Sequence, residues 1–217
     1  MFRRFQRVSD NVCCAHGEPE FLFAARRIAS VPSHVPGDIV ECGCFRGGST
    51  AKLTILAESL NRRVTVFDSF RGLPAEGGSA QVLYHHTGSG GNVVFRAGDY
   101  ASTADEVRAV VAELGNASIT TFVPGFFSDT MPSWTGTAAA VLMDVDLVES
   151  TRDCITHLWP RLSPGGVMLS QDGHLREICS LLTDVAFWRS LGETSPPYFE
   201  RLGKHKMICA RKPLPLR

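Results

Sequence analysis

Four acidic residues stand where short apolar runs end: Glu41, Asp68, Asp144 and Asp172. The stretch 41–49 reads Glu-Cys-Gly-Cys-Phe-Arg-Gly-Gly-Ser. A dinucleotide fingerprint needs G-x-G-x-x-G, because its middle glycine lets backbone approach a pyrophosphate. Phe45 fills that middle position, which disfavours NAD and FAD. An acidic residue followed by spaced glycines suits S-adenosylmethionine, which has no phosphate and carries a cationic sulfonium. Glu41 adds negative charge near that cation, and the glycines let the loop pass close to it. A plain tight turn after an acidic strand end is the alternative reading of this loop. Asp68 follows Glu41 by 27 residues at the next strand end. An acidic side chain there can accept hydrogen bonds from ribose hydroxyls. A helix-capping Asp is the alternative.

The elements that must position these residues follow from periodicity. Phe21, Leu22, Ala25 and Ile28 predict a helix over 20–29, after a polar, irregular stretch 1–20. Pro32 and Pro36 break the chain. Strands are expected at 38–42, 63–67, 119–123, 138–143 and 167–170. Helices are expected at 48–60, 103–114, 149–159 and 175–188, the second opened by a Thr103–Glu106 capping box. Leu162-Ser-Pro-Gly-Gly166 reads as a turn. Segments 198–202 and 207–210 flank Gly203-Lys204 as a closing hairpin. The alternation predicts an α/β fold: a doubly wound, mostly parallel seven-stranded sheet with a C-terminal antiparallel hairpin. Ligands bind such sheets beyond the carboxyl ends of the strands, where the four acids stand. Residues 1–217 are expected to form one domain, with 1–35 as an N-terminal helical or lid segment and the Gly-, Ser- and His-rich stretch 70–101 as a lid insertion.

Composition narrows the partners. The 217 residues are 44% hydrophobic and 20% charged, with 22 basic against 22 acidic residues. A chain that lives on phosphate backbones usually shows a basic excess, so nucleic acid is not expected. No apolar run approaches the roughly 20 residues of a membrane span, and the N-terminus lacks a signal-peptide core. Seven cysteines without a CxxC pair fit reduced, buried thiols and a cytoplasmic location.

Several stretches together resemble the macrocin O-methyltransferase family. They are 35–49, Phe67-Asp-Ser-Phe-Arg-Gly-Leu-Pro74, Phe122-Val-Pro-Gly-Phe-Phe-Ser-Asp-Thr-Met-Pro132, Leu142-Met-Asp-Val-Asp-Leu-Val-Glu-Ser-Thr151 and 158–166. The likeness runs from about residue 8 to 175, in order. It implies the Rossmann-like class I methyltransferase fold and Mg2+-dependent transfer of a methyl from S-adenosylmethionine to a hydroxyl of a sugar or glycosylated natural product. It implies that Glu41, Gly43 and Ser49 line the methionine part of the cofactor. Asp68, with Ser69 beside it, would hold the ribose, and Gly125, Phe126 and Phe127 would flank adenine. Asp144, Gln171 and Asp172 would bind the metal.

One position departs from the family. Two adjacent carboxylates usually follow the fifth strand, and here they read Gln171-Asp172. A site of Asp144, Asp172 and the Gln171 amide oxygen carries one negative charge fewer, and Asp146 could compensate. The segments before the first strand and after Asp172 are also short, which leaves the acceptor open. The reaction needs an aligned acceptor oxygen and removal of its proton. Asp144 serves through the metal, and His174 beside Asp172 is the first choice of base. His85 and His86 read as exposed loop residues and His157 as structural. The competing readings are a metal-independent methyltransferase on a phenol, amine or carboxylate, and a non-catalytic cofactor-binding protein. A homodimer is expected as the commonest assembly.

Overall fold

The computed structural model describes residues 1–75, 80–86 and 91–214. Strand β1 (Asp38–Cys42) leads into helix α3 (Gly48–Ser59), then β2 (Val64–Asp68). After the insertion come helix α4 (Ala104–Leu114), β5 (Thr120–Pro124), the single turn α5 (Phe127–Thr130) and β6 (Ala138–Met143). Helix α6 (Val148–Leu158) and β7 (Leu162–Ser170) follow. The sheet closes with β8 (Phe199–Glu200) and β9 (Ile208–Arg211). Its seven strands run in the order β5-β2-β1-β6-β7-β9-β8. The first five are parallel; β9 lies antiparallel to β7, and β8 to β9. This is the doubly wound sheet the alternation predicts.

The central strands explain why the pattern was legible. All six residues of β6 are buried, as a strand covered on both faces requires. One apolar layer joins α3 to the N-terminal helices. The other joins α6 to α7 (Arg176–Thr183) and α8 (Val185–Ser190). The expected helix 175–188 is thus two helices. Asp184 breaks it by accepting hydrogen bonds from the amides of Ala186 and Phe187 at 2.8 and 3.3 Å.

Three local expectations are corrected. Residues 1–20 are not irregular: they hold α1 (Phe2–Asn11) and the start of α2 (Glu18–Ala29). Helix α1 buries only Phe5 and Val8, and Phe5 sits edge-on to Phe21 at 5.2 Å. Such a short, polar helix is held by packing, not by propensity. The stretch 162–166 is not a turn but the first half of β7. Gly165, at φ +83°, carries a shift in the β6–β7 register that lets the strand resume. The insertion 70–101 contains a separate antiparallel hairpin, β3 (Ala80–Tyr84) with β4 (Asn92–Arg96). Its residues 76–79 and 87–90 lie outside the described residues. Among the described residues, no helix is long and apolar enough to cross a membrane.

Candidate active site

The site grows from two backbone turns packed against each other. After β1 the chain turns at Gly43, φ +81°, where a Cβ would run into the Asp144 carbonyl oxygen. Only glycine fits there, because the position combines a left-handed backbone with close approach of the turn after β6. The amide of Asp144 in turn donates to the Cys42 carbonyl at 2.9 Å. Gly47, also left-handed at φ +80°, then opens α3.

A cavity of about 710 Å³ lies beyond the carboxyl ends of these strands. From the cofactor set it is lined by Gly43, Ser49, Asp68, Ser69, Phe126 and Phe127; Asp144, Gln171, Asp172 and His174 complete the wall. Gly125 stands behind it. Its φ of +142° makes the bend that presents Phe126 and Phe127, and its amide donates to the Asp68 carbonyl at 2.9 Å. Glu41 does not line the cavity. It is 1% exposed and lies under the first turn of α3, where Oε2 accepts a hydrogen bond from the Thr50 hydroxyl at 2.5 Å. Its Oε1 has no partner, and burial pushes the carboxyl up to about 7.

Asp68 fastens the loop around it. Oδ2 accepts from the Cys44 amide and Oδ1 from the Phe70 amide, both at 2.7 Å. Each oxygen keeps acceptor capacity toward the cavity. The Ser69 hydroxyl is committed to the Gly72 carbonyl at 2.8 Å.

The acidic group is tighter than its strand positions alone foretell. Asp144, Asp146 and Asp172 each offer an oxygen within 4.8 Å of the others. Asp146 adopts a left-handed φ of 61°, and its amide donates to Asp172 Oδ2 at 3.1 Å. Burial, then the neighbouring carboxylates, raise Asp144 and Asp146 well above the usual range. Burial raises Asp172 too, against the amides of Val145 and Asp146, which favour its ionised form. Crowded, desolvated carboxylate oxygens are the donor set a hard divalent cation takes, so these residues fit a metal. Gln171 is 4% exposed, and its Oε1 has no hydrogen-bond partner among the described residues. Its Nε2 donates to Glu20 Oε2 at 3.5 Å.

His174 is half-buried, and its Nδ1 has no partner among the described residues. Burial lowers it to about 4, so its ring is neutral at neutral pH and free to accept a proton. His85 is not a loose loop residue: its ring centroid lies 4.9 Å from that of His174. The His86 amide donates to the His174 carbonyl at 2.8 Å, so the β3–β4 hairpin docks on the catalytic turn. Within α6, the His157 carbonyl accepts from Arg161, and the side chain does not line the cavity.

Sequence reasoning missed other wall residues. Tyr100, left-handed at φ 61°, stands edge-on to Phe45 at 5.6 Å. Cys13 and Cys14 line the cavity from the α1–α2 connection. Lys206 is the one Lys or Arg side chain in the described lining, and its charge opposes those of all three aspartates. All four lie in irregular segments with no periodic signal.

A sequence profile of the family described as macrocin O-methyltransferase (TylF) matches residues 24–192. The chain belongs to this family. Over 149 residues it is 37% identical to the 8-demethyl-8-(2,3-dimethoxy-alpha-L-rhamnosyl)-tetracenomycin-C 4'-O-methyltransferase of Streptomyces olivaceus, covering 64% of this chain and 53% of that one. Over 154 residues it is 34% identical to the mycinamicin III 3''-O-methyltransferase of Micromonospora griseorubida, covering 64% and 56%. The chain thus spans about half the length of these relatives. The solved O-methyltransferase NovP superposes with a TM-score of 0.71 at 25% identity, covering 91% of this chain and 81% of that one. Calicheamicin methyltransferase CalS11 shares the fold, with a TM-score of 0.63 at 15% identity over 97% and 91% of the two chains.

Proposed function

We propose that this member of the macrocin O-methyltransferase family is an S-adenosylmethionine-dependent enzyme. It methylates a hydroxyl of a small natural product, a sugar or a glycosylated metabolite, with help from a divalent cation such as Mg2+. The observation that carries the reading is the single cavity at the strand ends. It brings Asp68, the Phe126–Phe127 pair, the aspartate group and a neutral His174 to one space. The relatives are named for methylating glycosylated compounds, which supports this acceptor class.

In this reading Gly43 and Ser49 flank the methionine end of the cofactor, Asp68 and Ser69 the ribose, and Phe126 and Phe127 the adenine. Glu41 acts from behind, and Gly125 shapes the bend. Asp144 and Asp172 hold the cation, with the Gln171 amide oxygen and Asp146 as further oxygens. When bound, the cofactor supplies an electrophilic methyl and the cation an electrostatic pull that makes a hydroxyl more acidic. The chain's residues orient the acceptor oxygen in line with that methyl, and His174 takes its proton. The β3–β4 hairpin places Val93 and Phe95 in the wall as a cover for the acceptor. Residues 1–217 work as one domain, in the cytoplasm and as a homodimer.

A metal-independent reaction with His174 as base is the second reading. Gln171 removes one carboxylate from the family's pair, and Lys206 already supplies a positive charge nearby. Calorimetric titration with S-adenosylhomocysteine, followed by methyl-transfer assays on glycosides with Mg2+ or with EDTA, tests both. Micromolar binding and EDTA-sensitive turnover support the first reading. EDTA-resistant turnover supports the second, and no binding overturns both.

A further inference from the structure

We propose that Gln171 is a positioning residue, a latch that fastens the N-terminal wall of the cavity to the catalytic turn through Glu20. The inference rests on the cofactor-binding reading above.

A single oxygen joins the two segments. Glu20 Oε2 accepts from the Gly17 amide at 2.7 Å and from Gln171 Nε2 at 3.5 Å, across 151 positions of chain. Just before Gly17, Cys13, Cys14 and Ala15 line the cavity. The Cys14 sulfur lies so close to Gly48 that a Cβ there would collide with it, and Ser49 follows directly. Whatever fixes residue 17 therefore fixes the segment that closes over the start of α3. At its other end the latch is rigid: the Gln171 amide donates to the Met143 carbonyl at 2.8 Å, and the side chain is 4% exposed.

This accounts for an amide where the family keeps a carboxylate. A glutamate at 171 would set its charge against Glu20, and like charges at such range repel strongly when shielded from water. The reverse amide orientation would set two oxygens against each other, so Nε2 faces Glu20. Oε1 is then left without a partner, at a residue of the cavity wall.

The test is acceptor-free and metal-free. S-adenosylhomocysteine affinity is measured by calorimetry in EDTA for wild type, Q171A, Q171E and Q171E/E20Q. Amide hydrogen exchange is followed at 13–17 and in β1 and β6. Q171E is expected to weaken binding by about tenfold, and Q171E/E20Q, which exchanges amide and carboxylate, to recover to within about threefold of wild type. Q171A is expected to speed exchange at 13–17 and leave β1 and β6 unchanged. Q171E affinity within about twofold of wild type, or no recovery in the double variant, would overturn the latch. If wild type does not bind, the cofactor reading fails. The exchange arm still decides: unaltered exchange at 13–17 in Q171A overturns the latch on its own.

Discussion

Glu41→Gln should make the ligand-free protein more stable above neutral pH. The wild-type carboxyl is shut away from water, with one oxygen on the Thr50 hydroxyl and the other unpartnered. Burial raises it from 4.5 to about 7. At 1.36 kcal/mol for each tenfold change in the ionisation constant, ionising it in the fold costs roughly 3 kcal/mol. The sign follows from linkage. Below 4.5 the carboxyl is protonated in both states and no penalty exists. As pH rises from 4.5 to 7 the unfolded chain ionises first, so native stability falls; above 7 the loss is complete and constant. Glutamine has the same shape, still accepts from Thr50 and cannot ionise. The assay is urea unfolding of both proteins at pH 5 and pH 8. The variant should gain at most about 3 kcal/mol relative to wild type on going from pH 5 to pH 8. Wild type carries the same slope from Asp144, Asp146 and Asp172 in both proteins, so the difference isolates Glu41. A variant that gains nothing on wild type at pH 8 would refute the reasoning.

Gly43→Ala should lower stability by more than about 3 kcal/mol, because a left-handed backbone and a collision with the Asp144 carbonyl act together; thermal unfolding reads it. Asp144→Asn should leave S-adenosylhomocysteine affinity within about threefold, weaken Mn2+ binding by at least about tenfold in a paramagnetic titration, and abolish turnover. His174→Ala should lower kcat by about a hundredfold or more with cofactor affinity unchanged. Because burial holds His174 near 4, the pH profile of wild-type kcat/KM should show no histidine inflection near 6.5.

What the sequence made legible follows from how each part is buried. Strand β6 reads plainly because both faces are covered, so every residue is apolar. The start of α4 reads because Thr103 and Glu106 close a capping box, and both of its hydrogen bonds form, at 2.8 and 3.2 Å. Helix α1 does not read, since two buried residues in ten leave a pattern that polar sequence also makes. The β3–β4 hairpin does not read because Val82, Tyr84 and Val94 are exposed, which blurs the alternation around Leu83 and Phe95. In the site, acids at strand ends were found because fold topology fixes where strands end. Glu41 was assigned a wall it does not reach, because nothing in the pattern tells that the first turn of α3 covers it. Asp146 was visible as a compensating charge, and the left-handed turn that brings it to Asp172 was not.

The β3–β4 hairpin shares no ladder with the main sheet. It meets the catalytic turn through the His86 amide, a bridge from His85 to Leu175, and the Tyr84 amide on Glu177 at 2.9 Å. Most of those fastenings are main-chain, so they place few demands on side-chain identity. Val93 and Phe95, which meet the cavity, answer to no register in β1, β2, β6 or β7. The hairpin is therefore an exchangeable cassette. Recombination or design can swap it between relatives and redirect acceptor choice, while the strands that carry Asp68, Asp144 and Asp172 are inherited intact.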